Sequence, residues 1–516
     1  MSSNSETGLS LEYHDLTKHS YWSIRTRPHY LDWDNKPSPF KVYPDLEPIA
    51  LPRDLIRTDA PALRSIATIG VERSDQVAPN LEGLASILYF SSGVTKQKTY
   101  PGGEIYFRAA ACAGALYPIE TYVVAAELDG LKAGVYHFNP GDFSLRRLRE
   151  GDYRAAVINA TAGNKRVAAA QVCLIYTAIT WRSAWKYQAR SYRYHFWDNG
   201  MIVANSLAVC AAHNLPAHLD MGFLEEDINR LLGIDGEREL SLSLLAIGAD
   251  EDPEAQGPDK IDVPSIDLKT VPLSKEEVDY PIIRKMHRAS SFYDPQEVVA
   301  WRSARFEREP DPPEGKTIAL LSPPIDILTG ISIEEVVLRR ASTRRFARKA
   351  ITFEELSVIL DSATGGIDAD FLNPTGAWLN DLYILANRID GLEPGAYHLR
   401  RDEKALESIK GGDFSERASY LTLEQPLGGD ASATFFFMAD LDRLLERFGN
   451  RAYRAAQMEA GIIGGKIYIA AYGLGRGATG LTFYDDDVTE FFSPHAAGKS
   501  CIFVISVGIP GKRPLY

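Results

Sequence analysis

Cysteine is scarce in this sequence. The 516 residues contain four, Cys112, Cys173, Cys210 and Cys501, and none belongs to a Cys-x-x-Cys pair. The last three lie in apolar runs, the usual setting of buried thiols, so neither a disulfide framework nor a metal site is expected. No apolar run approaches the 18 residues that a membrane-spanning helix needs. The opening MSSNSETGLSLEYHD lacks the basic-then-apolar pattern of a secretory signal. Long basic tracts are also missing, and the net charge of −13 makes nucleic acid and anionic membrane poor partners. A cytoplasmic protein with neither kind of partner is the expectation.

What is present is repetition. KYQARSYRYHFWDNG begins at Lys186 and RFGNRAYRAAQMEAG at Arg447, which pairs Arg190 with Arg451, Tyr192 with Tyr453, Arg193 with Arg454 and Gly200 with Gly461, each 261 apart. GVYHF and GAYHL keep the same spacing at Tyr136 and Tyr397. Upstream, LASILYFSSG ending at Gly93 matches LSVILDSATG ending at Gly365, 272 apart, so the first copy carries about 11 extra residues after Gly93. Matches in one order over roughly 190 residues indicate a duplicated domain, too long a unit for a solenoid repeat.

The expected organisation is an aromatic, Pro-rich extension over 1–60, a first repeat over 61–250, an acidic Pro-rich linker with a helical patch over 251–330, and a second repeat over 331–516. FEELSVILDSATGG reads as a helix stopped by glycine, with Thr352 as its N-cap. TYVVAAEL, DLYILANRI and KSCIFVISVGIP read as strands, and GMIVANSLAVCAAHNL and GIIGGKIYIAAYGLG as buried helices. The fold class is therefore α+β.

RRASTRRF places Arg340, Ser342 and Arg344 at alternate positions, where two guanidinium forks and a hydroxyl can converge on one phosphate. Lys512 and Arg513 form a second basic pair after the closing strand. The first repeat has Gly70 and Glu72 opposite Ser342 and Arg344, and Asp250, Glu251 and Asp252 around the place of the pair. Joint loss of both elements is expected if they grip one anion. GLGRGATG contains Gly-x-Gly-x-x-Gly at Gly475, Gly477 and Gly480, but a helix precedes it and no helix directly follows. A dinucleotide fold is thus excluded, while close backbone approach to a ligand stays possible.

Taken together, RAAACAGALYPIE (Arg108–Glu120), GVYHF, KYQARSYRY and RRASTRRF resemble the nitroreductase superfamily, in particular its SagB-type dehydrogenase branch, over nearly the whole chain. The resemblance implies FMN held in a dimer interface, its phosphate on Arg340, Ser342, Arg344, Lys512 and Arg513. It also implies flavin contacts from the other half at Cys112, Ala113, Gly114 and Leu116, with Cys112 replacing the family's usual serine; Gly475 and Gly477 are candidates for backbone contact from their glycine-rich run alone. The Lys-Tyr pair of azoline dehydrogenases falls on Lys186 and Tyr187, although a lysine on a solvated helix end beside a core tyrosine would look the same. Two tandem nitroreductase-like domains would then form an intrachain pseudo-dimer, monomeric in solution. One cleft would keep every element, and so bind one FMN per chain; the other, with PTGAWLND and Arg447–Phe448, would keep none. Three functions remain open: dehydrogenation of a small-molecule or peptide-borne heterocycle, NAD(P)H-dependent nitro or quinone reduction, and flavin binding without turnover. NAD(P)H or O2 are the candidate electron partners.

Overall fold

In the computed structural model, the described residues are 3–26, 28–71, 78–100, 103–248, 261–306, 308, 312–322 and 330–512. Glu72, Asp250, Glu251, Asp252 and Arg513 lie outside them. The first half forms strands β1 (Pro48–Ala50), β2 (Val94–Tyr100), β3 (Gly103–Arg108), β4 (Ile119–Ala125), β5 (Gly134–Asn139), β6 (Ser144–Glu150), β7 (Val172–Ile179), β8 (Ala217–Asp220) and β9 (Glu239–Ile247). The second half forms β10 (Thr317–Ala319), β11 (Ile351–Thr352), β12 (Asp381–Ala386), β13 (Ile389–Asp390), β14 (Gly395–Arg400), β15 (Ala405–Gly411), β16 (Ala433–Ala439), β17 (Gly477–Leu481) and β18 (Ser500–Gly508).

Two seven-stranded antiparallel sheets result, ordered β1-β6-β5-β4-β7-β9-β8 and β10-β15-β14-β12-β16-β18-β17. The orders correspond strand for strand, so the two halves share one topology. β2 and β3 form a separate hairpin after Gly93, and this is the extra segment of the first copy. Thr352 caps its helix, Phe353–Thr364, through a capping box with Glu355. In the first copy Asn80 caps the helix Leu81–Ser92.

The long helices Ser191–Ala212 and Arg451–Gly473 pack against each other at the centre. They cross at Gly200 and Gly461: a Cβ on Gly200 would lie 2.7 Å from the Gly461 carbonyl carbon, and one on Gly461 2.8 Å from the Trp197 Cα. Only glycine allows so close a crossing, which explains why that residue recurs in both copies. One continuous apolar core contains residues of both halves, such as Leu84, Val203, Ile359 and Ile463.

The repeated Arg-x-x-Arg pairs serve this interface. Arg190 and Arg193 reach Asp485 at 3.0 Å and 2.6 Å, under the helix Gly8–Leu16, where His14 O and Thr17 Oγ1 accept further bonds. Arg451 and Arg454 both reach Glu225, under the helix Pro281–Ala289, where Ser290 and His287 O accept. The extension and the linker thus supply matching helices, and their short strands β1 and β10 occupy matching sheet edges.

Burial alone would raise the Asp485 carboxyl, but Arg190 and Arg193 pull it down to about 2. A depressed carboxyl stabilises the fold at pH above its unfolded value, and that contribution is lost as pH falls towards 2. Asp485→Asn leaves two buried guanidiniums uncompensated. It is expected to destabilise the protein by about 3–5 kcal/mol, readable as a lowered denaturant midpoint at neutral pH.

Candidate functional site

A cavity of about 330 Å³ opens where the halves meet. Its first wall is the turn after β3. Gly114 takes φ +63, and Asp198 holds the turn by accepting from Ala113 N at 2.9 Å and from the Cys112 thiol at 3.2 Å. Burial pushes the Asp198 carboxyl up to about 7. Burial and then the neighbouring Asp198 push the Cys112 thiol well above its ordinary value, so it stands there as a neutral thiol.

The second wall is the last turn of the helix Thr180–Tyr187. Tyr187 stacks on Tyr194 with ring centroids 4.2 Å apart and planes within 14°. Its hydroxyl lies 2.9 Å from where a Gly114 Cβ would stand. Gly114→Ala would therefore strain a left-handed residue and push Tyr187 aside; loss of turnover without loss of the fold is expected, checked by kinetics beside a circular dichroism melt. Lys186 is half-buried, and its amine is lowered by burial, then by Arg344 and Lys36. That favours the neutral, proton-accepting form relative to a free lysine.

The third wall comes from the second half. The grip segment runs along β17: Ser342 bridges to Ala478, and Thr343 N donates to Ala478 O at 2.9 Å. Tyr468 OH accepts from Gly480 N at 2.8 Å and lies 3.2 Å from Ser342 Oγ. Next to the main cavity, a space of about 150 Å³ is lined by Cys112, Arg340, Ser342 and Arg344 together with Lys96 and Lys98 of the β2–β3 hairpin. It is rich in cations and has no carboxylate among its lining residues.

Seven predicted residues therefore line the main cavity: Cys112, Ala113, Gly114, Lys186, Tyr187, Ser342 and Arg344. Arg340 lines only the smaller space, and its guanidinium donates to Ala109 O and Arg108 O at 2.8 Å, clamping one half to the other. Lys512 is exposed, with the preceding Gly511 N bonded to Arg345 O at 2.8 Å. Three residues stand elsewhere. Leu116 turns into a cluster with Trp181 and Trp185. Gly475 forms a turn at φ +69, and Gly477 packs where a Cβ would meet Thr343 Oγ1 at 2.2 Å. It is Thr479 and Gly480, at the end of the same glycine-rich run, that face the cavity.

The corresponding cleft is filled by the chain itself. Leu219, the counterpart of Gly480, is bonded to segment 366–372: Leu219 N donates to Asp368 O and Asp370 N to Leu219 O, both at 3.0 Å. Asp368 Oδ2 comes to 3.7 Å from the Cβ position of Gly70, the counterpart of Ser342. Asp370 accepts from Met221 N and Gly222 N, and Lys466 Nζ donates to Gly366 O at 2.8 Å. At the place of Lys186 and Tyr187, exposed Arg447 donates to Arg305 O, and Phe448 is buried against Trp301 and Phe306.

A family model described as the nitroreductase family matches residues 77–249 and 337–509. A candidate nitroreductase of Methanocaldococcus jannaschii is 26% identical over 181 residues, 34% of this chain and 90% of its own length. A solved candidate nitroreductase from Anabaena variabilis is 25% identical, superposes with a TM-score of 0.76, and is covered fully by 98% of this chain. Another, from Exiguobacterium sibiricum, was solved with FMN; it is 13% identical, with a TM-score of 0.25 over 39% of this chain and 91% of its own. Among the described residues no helix is long and apolar enough to cross a membrane.

Proposed function

We propose that this chain, which belongs to the nitroreductase family, is an FMN-dependent oxidoreductase of the SagB-type dehydrogenase kind, oxidising a carbon–nitrogen or carbon–carbon bond of a heterocycle. The observation that carries this reading is the single cavity uniting Ser342 and Arg344 of one half with Cys112–Gly114, Lys186 and Tyr187 of the other. The donor set suits a flavin mononucleotide. Arg340, Ser342 and Arg344 offer cationic and hydroxyl donors for a phosphate, and the neighbouring space adds Lys96 and Lys98 without an opposing carboxylate. Thr479 and Gly480 offer backbone for close approach to a ring.

When bound, FMN would supply a two-electron acceptor for hydride. The chain's own residues would do the rest. Lys186 Nζ, its amine lowered by burial and then by Arg344 and Lys36, takes the proton that leaves the substrate carbon or nitrogen. Tyr187, fixed by Tyr194 and by the absence of a side chain at Gly114, orients that group. Both come from the opposite half to the grip, so the chain needs no second copy to complete the site, and we expect a monomer in solution.

The test is direct. Protein reconstituted with FMN should show a perturbed oxidised-flavin spectrum that bleaches under anaerobic conditions when a thiazoline- or oxazoline-bearing peptide is added. Bleaching by NAD(P)H alone, with no response to the heterocycle, would move the function to nitro or quinone reduction.

A further inference from the structure

At the second sheet, three metal-type ligands that line neither of the spaces described above converge. His398 of β14 and Glu407 of β15 are cross-strand partners. His495 comes from the turn after the helix Asp485–Phe492. One ligand atom from each lies within 4.8 Å of the other two.

The hydrogen bonds make this cluster unusual. Tyr383 OH lies 2.9 Å from His495 Nδ1, 3.2 Å from His495 O and 3.0 Å from Lys499 Nζ. An ammonium can only donate, so the hydroxyl accepts from Lys499, gives its single proton to the carbonyl, and accepts from Nδ1–H. That fixes the ring with a lone pair on Nε2, which faces Glu407 Oε2 at 3.7 Å. His398 Nδ1 approaches the same oxygen at 3.8 Å and its Nε2 lies 3.9 Å from Asp381 Oδ1, both ring nitrogens being buried. The Nε2 lone pair of His495 thus faces Glu407 Oε2, which also accepts from Arg400 at 3.2 Å, across a gap too long for a hydrogen bond, with His398 Nδ1 beside them.

The first half shows the alternative outcome at the same place. There His137 meets Glu120 at 2.6 Å, Glu120 also receives Arg182, and Arg146 stands opposite His137 where Glu407 stands opposite His398. That network is closed by protein cations. In the second half the nearby cations are engaged with carboxylates: Arg400 with Glu403 at 2.6 Å and Glu407 at 3.2 Å, Lys499 with Asp381 at 2.8 Å, and Arg308 with Asp381.

We propose that His398, His495 and Glu407 bind one divalent cation of the zinc class, with Tyr383 as the outer partner that sets the His495 tautomer. Two imidazoles and a carboxylate suit Zn2+, which leaves a fourth position for water. The site does not depend on the flavin reading.

The test uses the full chain and Zn2+ alone. Equilibrium dialysis followed by metal analysis should find one tightly held equivalent. His398→Gln and His495→Gln should each weaken it by more than the about 10–100-fold that loss of an outer partner costs, with unchanged far-ultraviolet circular dichroism. A second reading avoids variants: Co2+ bound to the unaltered protein should show ligand-field bands with no thiolate-to-metal absorption. Absence of a bound equivalent, retention of it in His398→Gln, or a thiolate band placing the ion at Cys112 would each overturn the proposal.

Discussion

Lys186→Ala is expected to lower turnover by about 10²–10⁴-fold, the usual worth of a positioned general base, while flavin content stays unchanged. Lys186 is half-buried beside Arg344 and Lys36, and its amine is lowered for that reason. It serves as a base only when neutral, so the rate should be low at acid pH and rise as pH climbs through the Lys186 value, below the ordinary lysine value of about 10.4. Arg447→Ala is the control. Arg447 occupies the corresponding place in the filled cleft and donates to Arg305 O, so its loss should leave both flavin and rate largely intact. Steady-state kinetics across pH with parallel flavin spectra check both variants. An unchanged rate in Lys186→Ala would return Lys186 to the role of a solvated helix-end lysine.

The second large effect concerns cofactor retention. Each charge-assisted contact to phosphate contributes about 1.5–3 kcal/mol, and every 1.4 kcal/mol is a factor of ten in affinity. Arg340→Ala or Arg344→Ala should therefore weaken FMN by about one to two orders of magnitude, and the double variant should emerge from dialysis without flavin. The two single variants should also differ in kind. Arg344 is exposed at the cavity rim, so its loss should affect only the ligand. Arg340 also holds the Arg108 and Ala109 carbonyls, so Arg340→Ala should lower the melting temperature as well. Full flavin content in the dialysed double variant would dismiss these residues as the grip.

Much of this was legible in the residues. Duplication follows from one spacing held through Arg190/Arg451, Tyr192/Tyr453 and Gly200/Gly461, and the structure supplies its physical reasons: interface ion pairs for the arginines and a helix crossing for the glycines. Local capping at Thr352 was legible because it needs only neighbours in sequence. What escaped depends on contacts between distant segments. Nothing in segment 366–372 by itself announces that Asp368 and Asp370 bond to Leu219, Met221 and Gly222. The His14 and His287 helices look like unrelated extension and linker because the extra β2–β3 hairpin changes their spacing to 273. Asp198 had a usable signal, since Glu459 stands 261 residues on and likewise accepts backbone N–H groups, at Leu379 and Asn380. Gly475 and Gly477 were chosen from the right glycine-rich run, but the strand β17 presents its later residues to the cavity.

The central claim is that duplication left one working cleft, and the flavin-to-chain ratio measures it. Titrating the apoprotein with FMN, with concentration taken from amino-acid analysis, should saturate at one mole per mole of chain. The other cleft is closed from Gly70 to Leu219 by residues 366–372. Saturation at two moles per mole would contradict the account, because a second flavin could enter only if that segment left its place.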